Sequence, residues 1–200
     1  MHATTGREGF DEARLINIAN ALTAFRVLLV PLFAHLIITG RVRRSLIVFA
    51  ICGITDALDG LLARRLKQRT VVGFYLDPIA DKLLMATSFI VLAYVKIIPV
   101  WLSVIVISRD LFILVGSVLI LLLHGSGKIR ATAISKMNTL VQILTVIYFL
   151  VIRAFPLIGQ QLPAGWDHTV TISVVWLCAA TTAVSGLHYL YIGMRNISNA

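Results

Sequence analysis

Six long runs of Leu, Ile, Val and Ala alternate with short polar connections along the chain. They cover roughly Ile18–Thr39, Ser45–Leu62, Leu76–Ile98, Pro99–His124, Ile134–Ile152 and Val170–Gly193. Each run is too long for a strand, and an open sheet in lipid would leave backbone N–H and C=O groups unpaired, so the runs predict helices. A bilayer-spanning helix takes about 20 mostly apolar residues. The expected fold is all-α: a polytopic membrane protein with six transmembrane helices, one domain over 1–200, preceded within it by a polar tail, Met1–Arg14. Asn20, Thr23 and Arg26 interrupt the first run and no small-residue cleavage site follows it. That run reads as a span and not as a signal peptide.

Composition sharpens this picture. The chain is 58% hydrophobic and 14% charged, with a mean hydropathy of +0.91. An aqueous globule and a disordered chain are both excluded, because so few polar residues could neither cover a surface nor solvate a coil. The net charge of +9 belongs in such a chain to membrane orientation and anionic head groups, not to nucleic acid. With the N-terminus in the cytoplasm, ten Lys and Arg of the tails and loops lie inside and five lie outside: Arg41, Arg43, Arg44, Lys96 and Arg153. The bias places both termini inside. Cys52 and Cys178, inside apolar runs, read as packing residues, and His35, His124 and His188, scattered over different helices, read as packing or interface-facing residues. Trp101 and Trp166 fit an interfacial belt, and Gly53, Gly116 and Gly186 fit close helix contacts.

The acidic residues do not fit a scaffold. Of nine, Asp56, Asp59, Asp77, Asp81 and Asp110 lie in or beside apolar runs. An Asp at a helix centre costs about 2.5–3.5 kcal/mol, and clustered carboxylates also repel one another. Asp56 and Asp59, three apart, share a face at the end of the second helix; Asp77 and Asp81, four apart, share one at the start of the third. A short connection predicts that these helices are antiparallel neighbours whose four carboxylates converge. Hard oxygen ligands in that number suit Mg²⁺, Mn²⁺ or Ca²⁺. Arg64, Arg65, Lys67 and Arg69 between them attract phosphate, while Gly60, Ala63 and Gly73 let a ligand approach the backbone. Together they describe a metal-phosphate site.

The run from Asp56 to Asp81 resembles the signature of the CDP-alcohol phosphotransferases, D-x2-D-G-x2-A-R-x8-G-x3-D-x3-D. All eight fixed positions match over 26 residues. Asn20, Thr23 and Arg26 are similar to the N-x-L-T-x-x-R of the phosphatidylglycerophosphate synthase branch. The resemblance implies an enzyme of phospholipid synthesis that transfers a phosphatidyl group from CDP-diacylglycerol to a hydroxyl acceptor and releases CMP. It implies Mg²⁺ or Mn²⁺, two ions, held by Asp56, Asp59, Asp77 and Asp81. It further implies Asp81 as general base, Gly60, Ala63, Arg64 and Gly73 around the CDP moiety, a homodimer, and an active site facing the cytoplasm from the cytoplasmic membrane. Thr55 and Lys82 flank these positions as supporting residues.

The acceptor is read elsewhere. Arg109, inside the fourth run, is a functional candidate as an intramembrane cation. Asp110 follows it but points about 100° away on a helix, so it is not expected to be its partner. Arg109 and Lys136, with Lys128 and Arg130 nearby, form the expected pocket for an acceptor phosphate. The segments Ile107–Asp110 and Ile134–Thr139 are somewhat similar to the CMP-forming cardiolipin synthase branch. Glycerol-3-phosphate is the expected acceptor, with phosphatidylglycerol, and hence cardiolipin synthesis, as the alternative. A cation-coupled transporter is the non-enzyme reading. It predicts mid-span carboxylates and a second copy of the motif, and residues 100–200 hold no such copy.

Overall fold

The computed structural model describes the backbone of residues 18–66, 71–124, 133–157 and 166–198, and side chains within 24–56, 82–116, 133–157 and 168–191. These residues form long α-helices: α1 (Ile18–Ile38), α2 (Val42–Leu66), α3 (Val71–Tyr94), α4 (Val100–His124), α5 (Ala133–Ala154) and α6 (Trp166–Ser198). The all-α expectation holds among the described residues. The apolar runs mark the helices well, although α3 begins five residues before its run, through the mixed segment Val71–Tyr75.

The helices pack as a ring. α1 lies against α2 and α3, α3 against α4, α4 against α6, α6 against α5, and α5 closes on α2. Among the described residues α2 and α3 pack mainly on α1; the convergence expected of their four carboxylates lies outside the described side chains. The packed flanks of α1 are apolar. Val30, Phe33, Leu36 and Ile37 are all buried, and Phe33 meets Phe49 of α2 with ring centroids 5.7 Å apart. The core continues through Phe89, Leu92, Leu102, Val106, Val146 and Leu150. Cys52 and Cys178 are buried and free, as expected of packing residues. Gly53 and Gly116 are not contact glycines: a Cβ there would meet nothing within 4 Å, because both lie off the packed face. At Gly186 it would meet the Arg109 Cγ at 3.6 Å.

Two tight turns close one end of the bundle, and they share one hydrogen-bond pattern. After α1, the Gly40 N–H donates to Ile37 and the Arg41 N–H to Leu36; after α3, Lys96 donates to Ala93 and Ile97 to Leu92. Both turns need a left-handed residue just past the helix. Gly40 adopts φ 71° without cost; Lys96 adopts φ 59°, a conformation that costs an L-residue roughly 1–2 kcal/mol. At the same end Arg43 Nε donates to the Ala154 carbonyl at 2.9 Å, tying α2 to α5.

Large apolar side chains also point outward, Leu28, Phe112, Tyr94 and Trp176 among them. Two described helical segments, Ala133–Ala154 and His168–Tyr191, are long and apolar enough to cross a bilayer, and Ala24–Ile38 and Lys82–Tyr94 are shorter apolar segments.

Candidate active site

The end of the bundle opposite these turns gathers the charged interior. Arg26 of α1 is only 1% exposed, and its Nη1 lies 2.7 Å from Oδ1 of Asp56 on α2, which is 51% exposed. A buried guanidinium needs a counter-charge. Asp56 supplies it through one oxygen, which leaves the other facing a solvent-accessible environment. Thr55, beside it, turns its hydroxyl back onto the Ile51 and Cys52 carbonyls, both at 2.9 Å. It is committed to its own helix.

A second cluster joins four helices. The Arg109 side chain, 5% exposed on α4, places Nη1 2.6 Å from Asp110 Oδ1. Its Nη2 donates to Ser135 Oγ of α5 at 2.8 Å and to Ser185 Oγ of α6. Lys82 of α3 pairs with the other Asp110 oxygen at 2.7 Å, and the Tyr189 ring lies under the guanidinium, 6.0 Å to its centroid. Asp110 is therefore the partner of Arg109 after all. The 100° between neighbouring backbone positions is overcome because the long guanidinium arm folds back on a short carboxylate. Lys136, on the first turn of α5, is exposed.

Below this cluster runs a polar seam that the sequence reading did not single out. Asn138 and Gln142 of α5 are each 1% exposed, and Thr182 Oγ1 of α6 donates to Asn138 Oδ1 at 3.0 Å. Their signal is a stripe of Ser135, Asn138, Gln142 and Thr145, spaced three and four apart, which marks one face of an otherwise apolar helix.

Asp59, Gly60, Ala63 and Arg64 lie on α2 and Gly73, Asp77 and Asp81 on α3; their side chains fall outside the described residues, as do Lys128 and Arg130. Among the described residues no three metal-ligating side chains converge. Asp56 fits a hard divalent cation, being an exposed carboxylate with one oxygen left over from its ion pair. The sequence places three further carboxylates within 25 positions of it.

An α-helical ring with a carboxylate-bearing end defines a class, and comparison gives that class its family. The CDP-alcohol phosphatidyltransferase family matches residues 16–187, and the chain belongs to it. A "Probable cardiolipin synthase (CMP-forming)" of Drosophila melanogaster is 34% identical, over 92% of this chain and 61% of its own. A "Probable phosphatidylglycerophosphate synthase" of Mycobacterium tuberculosis is 31% identical, over 92% and 85%. The "CDP-diacylglycerol--glycerol-3-phosphate 3-phosphatidyltransferase" of Bacillus subtilis is 30% identical, over 88% and 94%. The chain thus spans about three-fifths of the length of the animal cardiolipin synthases it matches, 61–62%.

Proposed function

We propose that the chain is an integral membrane phosphatidyltransferase that joins CDP-diacylglycerol to glycerol-3-phosphate and releases CMP. Six spans hold it in the cytoplasmic membrane as a homodimer, with the Asp56 end facing the cytoplasm. The observation that carries the reading is the Arg26–Asp56 pair. The first carboxylate of the eight-position motif is held at the bundle end by a buried cation, half open to solvent. Family membership and the names of the bacterial relatives support it.

In this reading Asp56, Asp59, Asp77 and Asp81 hold Mg²⁺ or Mn²⁺, two ions. Metal bound by these residues would supply charge neutralisation for the pyrophosphate and the leaving CMP. Arg64 binds the same phosphates, and Gly60, Ala63 and Gly73 leave room for the nucleotide against the backbone. Asp81 takes the proton of the acceptor hydroxyl as its oxygen attacks the phosphatidyl phosphorus; the bond from that phosphorus to the bridging oxygen breaks, and CMP leaves. Lys136, exposed beside the Arg109 cluster, receives the acceptor phosphate. Arg109, both of whose Nη atoms are engaged, anchors the helices around it.

A second reading takes phosphatidylglycerol as acceptor, favoured by the printed name of the Drosophila relative. One experiment separates them. Purified protein is given CDP-diacylglycerol, Mg²⁺ and each acceptor in turn, and the lipid product is identified. Phosphatidylglycerophosphate supports the first reading, cardiolipin the second. Absence of CMP release with either acceptor rejects both.

A further inference from the structure

The end of the bundle remote from Asp56 holds a cavity of about 810 Å³ that the proposed chemistry does not use. Its walls are apolar, with Phe149 and Val175 behind a pair of tryptophans, Trp101 of α4 and Trp176 of α6, whose ring centroids lie 5.6 Å apart. Its ionisable groups are Lys96 and His168, both exposed at the rim.

Two features make this more than a gap between helices. The first is Lys96, held at φ 59° in a turn whose twin after α1 uses glycine at the same position. A strained backbone kept under a cation, where glycine would relieve the strain, points to a use for the cation. The second is charge. The segments 39–44, 95–99 and 153–168 carry Arg41, Arg43, Arg44, Lys96 and Arg153 but only one acid, Asp167. Orientation does not explain so basic an outer end, since the rule for membrane proteins puts the excess on the other side.

We propose that this cavity binds an anionic phospholipid from the leaflet opposite the active site. An acyl chain lies along Phe149, Trp101 and Trp176, and the head-group phosphate rests on Lys96, with a hydrogen bond from His168. The inference rests on the membrane-spanning reading above. Aromatic rings at span ends and a basic pocket between helices are the chemistry that anionic head groups select. A second copy of the chain would bring a like-charged rim against this one, whereas an anionic head group neutralises it.

The test uses the full chain in phosphatidylcholine vesicles doped with brominated phosphatidylserine or, in parallel, brominated phosphatidylcholine. Two of the three tryptophans line the cavity, so bromine bound there quenches their fluorescence. Phosphatidylserine, neither donor nor acceptor in the proposed reaction, should quench several-fold more per molecule. Lys96→Gly removes the charge and relaxes the turn. It should melt no lower than the wild type and release CMP unchanged, yet quench equally with both lipids. Equal quenching in the wild type, or a phosphatidylserine preference that survives in Lys96→Gly, overturns the proposal. Quenching needs no turnover, so its outcome stands whether or not CMP is released.

Discussion

Arg26 and Asp56 form an ion pair of unequal burial: 2.7 Å apart, the guanidinium is 1% exposed and the carboxylate 51%. Losing one partner therefore differs from losing the other. Asp56 deprived of Arg26 still has water, whereas Arg26 deprived of Asp56 loses a counter-charge inside the core.

Thermal and denaturant unfolding should show this asymmetry. Asp56→Asn should destabilise by about 1.5–3 kcal/mol, the worth of one hydrogen bond to a charged group. Arg26→Met, which keeps much of the side-chain volume and leaves no buried charge, should cost clearly less. Equal losses would mean that solvent reaches the guanidinium.

Metal dependence is the second expectation. Excess chelator should abolish CMP release, and Mg²⁺ or Mn²⁺ should restore it. Asp59→Asn should weaken Mg²⁺ binding measured directly by calorimetry, not only activity. Turnover undiminished in chelator rejects the metal site.

Asp110 serves two cations of different exposure, Arg109 at 5% and Lys82 at 41%. Lys82→Gln removes a partly exposed pair and should cost at most about 1 kcal/mol. Asp110→Asn strands buried Arg109 and should cost several times more. A double-mutant cycle measures the coupling. If Lys82→Gln proves as costly as Asp110→Asn, Lys82 is the principal partner and the ranking is reversed.

The helices were legible in the sequence because apolar runs of that length have few alternatives. Asp56 was legible as more than a packing residue because a carboxylate beside an apolar run needs a counter-charge, and Arg26 supplies one. Three relationships were not. The packing of α1 on α2 depends on how Phe33 and Phe49 meet, which periodicity within one helix does not encode. The Arg109–Asp110 contact depends on side-chain reach, whereas helical spacing reports only backbone direction. The burial of Gln142 and Asn138 depends on α6 covering that face of α5. Their three-and-four spacing was present in the chain, but only tertiary packing distinguishes a buried polar stripe from an exposed one.

Lys136 is assigned to the acceptor phosphate, so its loss should act on one substrate. Lys136→Gln should raise the KM for glycerol-3-phosphate about tenfold or more, the effect of losing one charged hydrogen bond of about 1.5–3 kcal/mol. The KM for CDP-diacylglycerol and kcat should change little, because ground-state and transition-state binding weaken together. A parallel rise in both KM values removes the separate acceptor pocket.

Asp81 has a different task from its neighbours. If it accepts the acceptor's proton, Asp81→Asn preserves shape but not basicity, and kcat should fall by roughly 10²–10⁴-fold, the contribution of a general base. CDP-diacylglycerol should still bind, because Asp56, Asp59 and Asp77 retain most of the metal site. Asp81 is also assigned to the metal, so activity alone does not separate the two roles. Mg²⁺ and nucleotide-lipid affinities measured on the same variant do. Near-normal affinities with a lost kcat identify the base. A variant that turns over normally sinks that role, and one that fails to bind Mg²⁺ makes Asp81 a ligand first, leaving the proton to another group.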